Sequence, residues 1–384
     1  MTGSQSGGQA DFPVEEFERR TEAAQAAMRA LGFDALFFMT EPEVRYFTGF
    51  RTLFWQSPTR PWFLVVPAKG KPVAVVPEIG GALMRATWLD DVRTWSSPAA
   101  DDDGISLLGE ALSGTRHVGM PKGRESSLRM PLVDFARLRD LLPGTAFGDA
   151  TPLIRDLRMV KSEAEIALVR QICQAASSAF EAAPRLFHEG QSLSEAFRAF
   201  RIELLRQGAD DVPYLVGGAG QGGYADVISP PDDTPIRAGD VLMLDTGATW
   251  RGYHCDFDRN WAFGNASDAA RRAYETLYRA TDAALEICRP GVRANDLWRA
   301  MQLVIGQTGS DVGRYGHGLG MQLTEPPSHI HFDDTVLREG MVITLEPSMV
   351  VEEGRIMVHE ENLVIRADGP ELLSRRAAPE LPVL

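Results

Sequence analysis

Five side chains able to bind a cation punctuate the C-terminal half of the chain in a fixed order: Asp245, Asp256, His317, Glu346 and Glu360. Asp245 closes the apolar run Val241-Leu242-Met243-Leu244, and Asp256 follows in Tyr253-His254-Cys255-Asp256-Phe257-Asp258-Arg259-Asn260. His317 sits in Gly316-His317-Gly318-Leu319-Gly320, Glu346 ends Met341-Val342-Ile343-Thr344-Leu345, and Glu360 ends Arg355-Ile356-Met357-Val358-His359. Acids that interrupt apolar strands are costly to bury without a positive charge. A fold that accepts all five must therefore gather their strands around cations. Four carboxylates and one imidazole form a hard, oxygen-rich set suited to two divalent ions such as Mn, Co, Zn or Fe. The competing reading makes Asp245 and Asp256 turn or edge aspartates, Glu346 and Glu360 solvent-facing acids, and His317 structural. The flanking residues speak against it.

The pattern resembles the creatinase, prolidase and aminopeptidase P family, the pita-bread metallopeptidases. Arg155-Asp156-Leu157-Arg158-Met159-Val160-Lys161-Ser162, with Glu163 and Glu165, looks like that family's entry into its catalytic domain, and Gly239-Asp240 like its turn before the first ligand strand. The resemblance implies an α+β fold: a curved antiparallel sheet covered by two helix pairs, preceded by a smaller α/β creatinase-like N-terminal domain. It also implies two divalent metal ions per chain and a homodimer. Residue by residue, Asp245 would chelate one metal, Asp256 and Glu360 would bridge both, and His317 would bind one. Glu346 would bind one metal and serve as a proton acceptor.

The 384 residues exceed a single compact core, since domains run to roughly 100 to 200 residues. Residues 1–11 read as a loose polar leader, 12–150 as the N-terminal domain and 151–384 as the catalytic domain. A net charge of −14 argues against nucleic acid or an anionic membrane as partner, because either would require a clustered basic surface. Cys173, Cys255 and Cys288 are odd in number and show no paired metal spacing, so no disulfide framework is expected. With no signal-peptide core and no run long enough to span a bilayer, a cytoplasmic protein is expected.

Helical spacing appears over Pro13 to Leu31, stopped by Gly32, and again near Gly81 to Thr87 and Leu132 to Leu142. Strand-like runs occupy Ala35 to Met39, Trp62 to Val66 and Pro72 to Val76, giving the first domain an α/β layer. A long helix is expected over Lys161 to Ala183, with Ser162 and Glu165 as a capping box. Further helices are expected from Ser192 and over Asp268 to Cys288.

Two departures from the resembled pattern bear on substrate. Proline-directed members carry a second histidine seven residues after the ligand histidine; here that position is Thr324. They also carry a histidine upstream of the first ligand strand, where Ile228 falls, or Asp226 in a shifted register. Neither replaces imidazole chemistry near neutral pH. Asp258 stands where the family has a hydroxyl residue. On a strand it would share a face with Asp256, as an extra acid behind the ligands or as a surface acid paired to Arg259.

Other candidates are weaker in pattern. Trp55 and Arg60 lie in a Pro-rich, aromatic and cationic segment that would contact substrate if the first domain walls the site of a partner subunit; ordinary loop packing is the alternative. Tyr315 and His329 flank the histidine segment and would supply an acid or base, or simply pack.

The expected function is dinuclear, metal-dependent hydrolysis of a C–N bond in a small peptide or amide, of the Xaa-Pro dipeptidase type. Two cations about 3.5 to 4 Å apart activate a water near neutral pH, and Glu346, with Thr324 or Asp258, would complete the catalytic set. The substrate would be a dipeptide or another small molecule. One alternative is a lyase acting on a small sulfonium or betaine compound such as dimethylsulfoniopropionate. A non-catalytic binding protein is the other.

Overall fold

The computed structural model describes residues 11–57, 60–306 and 313–384. The expected loose leader lies outside the described residues except for Asp11, which is tied to Arg45 at 2.7 Å and to Arg51 at 3.0 Å. Two compact units divide after Arg158, so that the helix Thr151–Met159 closes the first unit. The division therefore falls in the last turn of that helix.

The first unit is built on six strands: β1 (Ala35–Phe38), β2 (Phe63–Pro67), β3 (Val73–Pro77), β4 (Asp91–Trp95), β5 (His117–Met120) and β6 (Ala146–Asp149). They lie in the order β4-β3-β2-β1-β5-β6, with antiparallel pairing across β1-β2-β3 and parallel pairing elsewhere. The central strands are buried on both faces, as Leu36, Phe37, Phe38 and Leu64 show, which matches their unbroken apolar runs. Helices follow the expected segments: Val14–Leu31 ends on Gly32 at φ 72°, with Glu78–Arg85 and Leu132–Leu141 further on.

The second unit is antiparallel throughout its strand pairs. Its strands are β7 (Leu215–Gln221), β8 (Asp240–Thr246), β9 (Thr249–Trp250), β10 (Tyr253–His254), β11 (Phe257–Ala262), β12 (His317–Gly318), β13 (Glu325–Ser328), β14 (Val342–Leu345), β15 (Ser348–Glu352), β16 (Arg355–Val358), β17 (Glu361–Arg366) and β18 (Gly369–Leu372). They form a three-stranded sheet β11-β8-β7, a five-stranded sheet β13-β12-β14-β17-β18 and two small hairpins.

Helices Glu163–Glu181, Leu193–Arg206, Asp268–Ile287 and Ala294–Ile305 pack on these strands. The first two open on full capping boxes, Ser162 with Glu165 and Ser192 with Glu195, and Ser267 caps the third. Satisfying the free N–H groups of the first turn is worth about 1 kcal/mol per cap, so these sequence signals start the helices where they occur. The core joins Leu277, Ala280 and Ala284 of one helix to Leu297 and Met301 of the next and to Met243, Ile343 and Leu363 of the strands. Ligand-bearing strand ends are thus held by packing on their apolar neighbours. Among the described residues no helix is long and apolar enough to cross a membrane.

Candidate metal centre

The register of β8 against β11 sets the first half of the site. Asp258, not Asp256, stands directly across from Asp245, and Val216 of β7 flanks Asp245 on the other side. The sequence suggests a simple hairpin between the two aspartates. In the structure the small β9-β10 hairpin is inserted between β8 and β11, and Asp256 falls in the link before β11. That link is fixed by Asn362, whose side chain accepts from the Asp256 N–H at 2.9 Å and donates to the Asp256 carbonyl. Both aspartates are buried, at 8% and 4% exposure.

The second half comes from three strand ends. His317 opens β12, Glu346 follows β14, and Glu360 lies between β16 and β17. The close approach needs glycine at 316: its φ is 142°, and a Cβ there would stand 2.3 Å from the Thr344 carbonyl oxygen and 2.4 Å from the His329 ring. The Thr344 hydroxyl accepts from the His317 N–H at 3.2 Å and lies 3.3 Å from Glu346 Oε2.

All five residues expected from the sequence converge. Ligand atoms of Asp245, Asp256 and Glu360 lie within 4.8 Å of one another, as do those of Asp256, His317 and Glu346. Asp256 belongs to both groups. The His317 Nε2 atom stands 3.3 Å from Asp256 Oδ2 and 3.4 Å from Glu346 Oε2. Its Nδ1 lies 2.8 Å from the Gly318 carbonyl, a bond that places the proton on Nδ1 and leaves the Nε2 lone pair facing the acids.

The electrostatics test whether cations fit. Asp245 Oδ1 and Glu360 Oε2 are buried with no hydrogen-bond partner among the described residues. Burial first, and then the charge of neighbouring acids, pushes the Asp245 and Glu360 carboxyls well above the usual range. Burial likewise carries Asp256 up to about 6 against the opposing pull of His317. Burial would lower the His317 imidazole, but Glu346 and Asp256 outweigh it and raise the group to about 9. The negative potential that draws a proton to Nε2 is the same one that would draw a metal ion, and the donors are hard oxygens plus one imidazole. The residues fit divalent cations.

Asp258 is placed behind this cluster. It is 1% exposed and accepts from Asn260 Nδ2. Burial raises its carboxyl to about 8 despite the Arg259 charge nearby. The same Asn260 amide donates to the Val358 carbonyl at 2.9 Å, so the pair ties β11 to the strand end before Glu360. Arg259 turns elsewhere, donating to the Glu360 carbonyl at 2.8 Å and to Glu361 at 3.1 Å.

The remaining candidates separate. The Tyr315 hydroxyl donates to Gln302 at 2.7 Å, and its ring stacks on Trp298. What it offers the site is its carbonyl, which accepts from the Glu346 N–H at 3.1 Å. His329 is fully buried against Gly316, and burial followed by the His317 charge lowers its imidazole to about 3. Thr324 accepts from Arg314 Nη2 at 3.3 Å. Asp226 caps its own turn through Ile228 N, Ser229 N and Ser229 Oγ. Within the first unit, Trp55 packs on Phe50, Trp62 and Arg129, and Arg60 lies over the Phe54 ring.

Two residues at the site escaped the sequence reading. The half-buried Tyr214 phenol is near Asp245, and burial together with the charge of that acid pushes it well up. Nothing in its local sequence signals this, because the contact depends on the β7-β8 register. Arg314 stands with Nε 3.6 Å from Glu346 Oε1. A cation three residues before the ligand histidine was the available signal.

A buried acid-rich cluster at converging antiparallel strand ends, in a chain that also carries a separate mixed-sheet unit, defines a metallohydrolase with the pita-bread fold. Family comparisons identify it further. Residues 167–367 match the model of metallopeptidase family M24, and residues 20–160 match the creatinase/prolidase N-terminal domain. The chain belongs to metallopeptidase family M24.

A probable dipeptidase PepE of Mycobacterium tuberculosis is 29% identical over 382 residues, 98% of this chain and 99% of that protein. An Xaa-Pro dipeptidase of Pyrococcus horikoshii is 29% identical over 69% of this chain and 75% of that protein. The crystal structure of dipeptidase PepE from Mycobacterium ulcerans superposes with a TM-score of 0.85 at 28% identity, covering 97% of this chain and 99% of that one.

Proposed function

We propose that this chain is a dinuclear metal-dependent dipeptidase, cleaving the C–N bond of a small peptide. The observation that carries the reading is the shared Asp256, whose carboxylate belongs both to the Asp245–Glu360 group and to the His317–Glu346 group. In this reading Asp245 serves one ion, His317 and Glu346 serve the other, and Asp256 lies between them with Glu360 beside it. Bound divalent cations would supply activation of a water and polarisation of the scissile carbonyl.

The chain's own residues do the rest. Glu346 is the most exposed of the five, with its side chain 16% accessible, and so is the acid placed to take a proton from the water and pass it to the leaving nitrogen. The Thr344 hydroxyl beside Oε2 and the Tyr315 carbonyl on the Glu346 N–H hold that carboxylate in position. The Gly318 carbonyl holds His317 in the tautomer that faces the cluster. Asn362 anchors the backbone of Asp256, and Arg259 holds the Glu360 carbonyl at 2.8 Å. The dipeptidases among the relatives support a dipeptide substrate.

The test is elemental analysis of the purified protein, followed by dipeptide turnover after reconstitution with manganese, cobalt, zinc or iron. Two ions per chain and hydrolysis of dipeptides are expected. Fewer than two ions at saturation, with full activity, would overturn the dinuclear assignment.

A further inference from the structure

We propose that Arg314 determines substrate specificity by receiving a carboxylate of the substrate, with the Thr324 hydroxyl as its anchor; the assignment rests on the dipeptidase reading. Position 324 is where the resembled pattern has an imidazole, and a threonine hydroxyl can carry no charge. The structure supplies a cation at the same place. Arg314 Nη2 donates to Thr324 Oγ1 at 3.3 Å, while Nε faces Glu346 Oε1 at 3.6 Å, beyond ordinary hydrogen-bond length.

Glu346 therefore stands between two neighbours. Its Oε2 faces His317 at 3.4 Å and its Oε1 faces the guanidinium. A guanidinium has five N–H donors. One is taken by Thr324 and one faces Glu346, which leaves three without a partner among the described residues. The side chain is 32% exposed, whereas the cluster acids behind it are buried. The guanidinium is thus partly accessible and has donors to spare.

Electrostatics points the same way. The acids of the centre are committed to His317 and to the cations they would hold, and Arg314 is the guanidinium beside them that is left to meet a substrate carboxylate. The planar fork of a guanidinium matches a carboxylate with two parallel hydrogen bonds. A charge-assisted pair of this kind favours a substrate with a free carboxylate over its neutral amide by about ten- to a hundredfold.

The experiment compares alanyl-proline with alanyl-prolinamide on the manganese-loaded full-length protein, by kcat/KM and by thermal shift. Wild type, Arg314→Met and Arg314→Lys are compared at equal measured metal content. The expected result is a preference for the free acid of about tenfold or more in wild type, expressed mainly in KM. It should collapse towards one in Arg314→Met and be partly restored in Arg314→Lys.

Equal handling of acid and amide by wild type overturns the proposal, as does an undiminished preference in Arg314→Met. Should wild type cleave neither compound yet be stabilised more by the acid, with the difference lost in Arg314→Met, the dipeptidase reading fails and the Arg314 assignment stands. Absence of any response to either compound overturns the assignment.

Discussion

The two units treat buried charge in opposite ways. In the first, buried charged side chains meet partners of opposite sign: Arg20 with Glu16 at 2.9 Å, Arg45 with Asp11 at 2.7 Å and Arg158 with Glu43 at 2.8 Å. In the second, beside one pair of that kind, Lys161 with Glu325 at 3.0 Å, Asp245 and Glu360 are buried with other acids as their main charged neighbours. A domain can gain little from burying like charges. The first unit is neutralised from within, whereas the acid cluster of the second would be completed by the cations proposed for it.

Removing Asp256 should give the largest effect. Asp256→Ala takes a carboxylate from both groups at once, and loss of at least one ion together with a fall in kcat/KM of about a thousandfold or more is expected. Elemental analysis beside dipeptide turnover checks it. Retention of both ions would break the contrast between the units.

A smaller, purely structural effect is expected in the first unit. Glu43→Ala removes the buried carboxylate that meets the Arg158 guanidinium at 2.8 Å, and a loss of about 1 to 3 kcal/mol is expected. Urea unfolding measures it, and metal content should be unaffected. Chelation with EDTA should do the reverse, lowering the melting temperature of wild type. A ligand present at a hundred times its Kd contributes about 2.7 kcal/mol that chelation removes.

Acidity sharpens the comparison further. Burial lowers the His329 imidazole from 6.5 to about 3 in the folded protein, so the unfolded chain takes up the proton first as pH falls. The stability this neutral histidine contributes is present above about pH 6.5 and is lost as pH drops from there towards 3. The limiting slope is about 1.4 kcal/mol per pH unit. Urea titrations at pH 6.5, 5.5 and 4.5 should therefore show a shallower decline in His329→Gln than in wild type, whatever the variant's absolute stability. The smallest change is expected for Ser162→Ala, about 1 kcal/mol from one lost helix cap.

Legibility differed between elements for physical reasons. Capping boxes at Ser162 and Ser192 are local, since donor and acceptor lie three residues apart, and sequence reveals them directly. The short helix Glu41–Thr48 and the helix Ala294–Ile305 went unread. Glu41–Thr48 follows Thr40 with Glu43 three residues on, but it is only eight residues long and its Thr40 side chain makes no cap; Ala294–Ile305 is closed at its N-terminus by Arg293 and Asp296. The β9-β10 hairpin was missed because strands of two residues are too short to show alternation.

By itself the sequence determined which side chains are the candidates for a metal centre, because four acids and one imidazole set among apolar or glycine-rich residues are costly to bury without a cation. It also determined the family, through the order and flanks of those residues. Only the tertiary structure decided the roles. The register of β8 with β11 sets Asp258 across from Asp245 and behind the cluster. The turn of Tyr315 towards Gln302 removes its hydroxyl from the centre. The approach of segments far apart in the chain brings Tyr214 to Asp245 and Arg314 to Glu346 and Thr324. Such contacts depend on strand register and side-chain direction, which packing across the whole unit settles and no local pattern encodes.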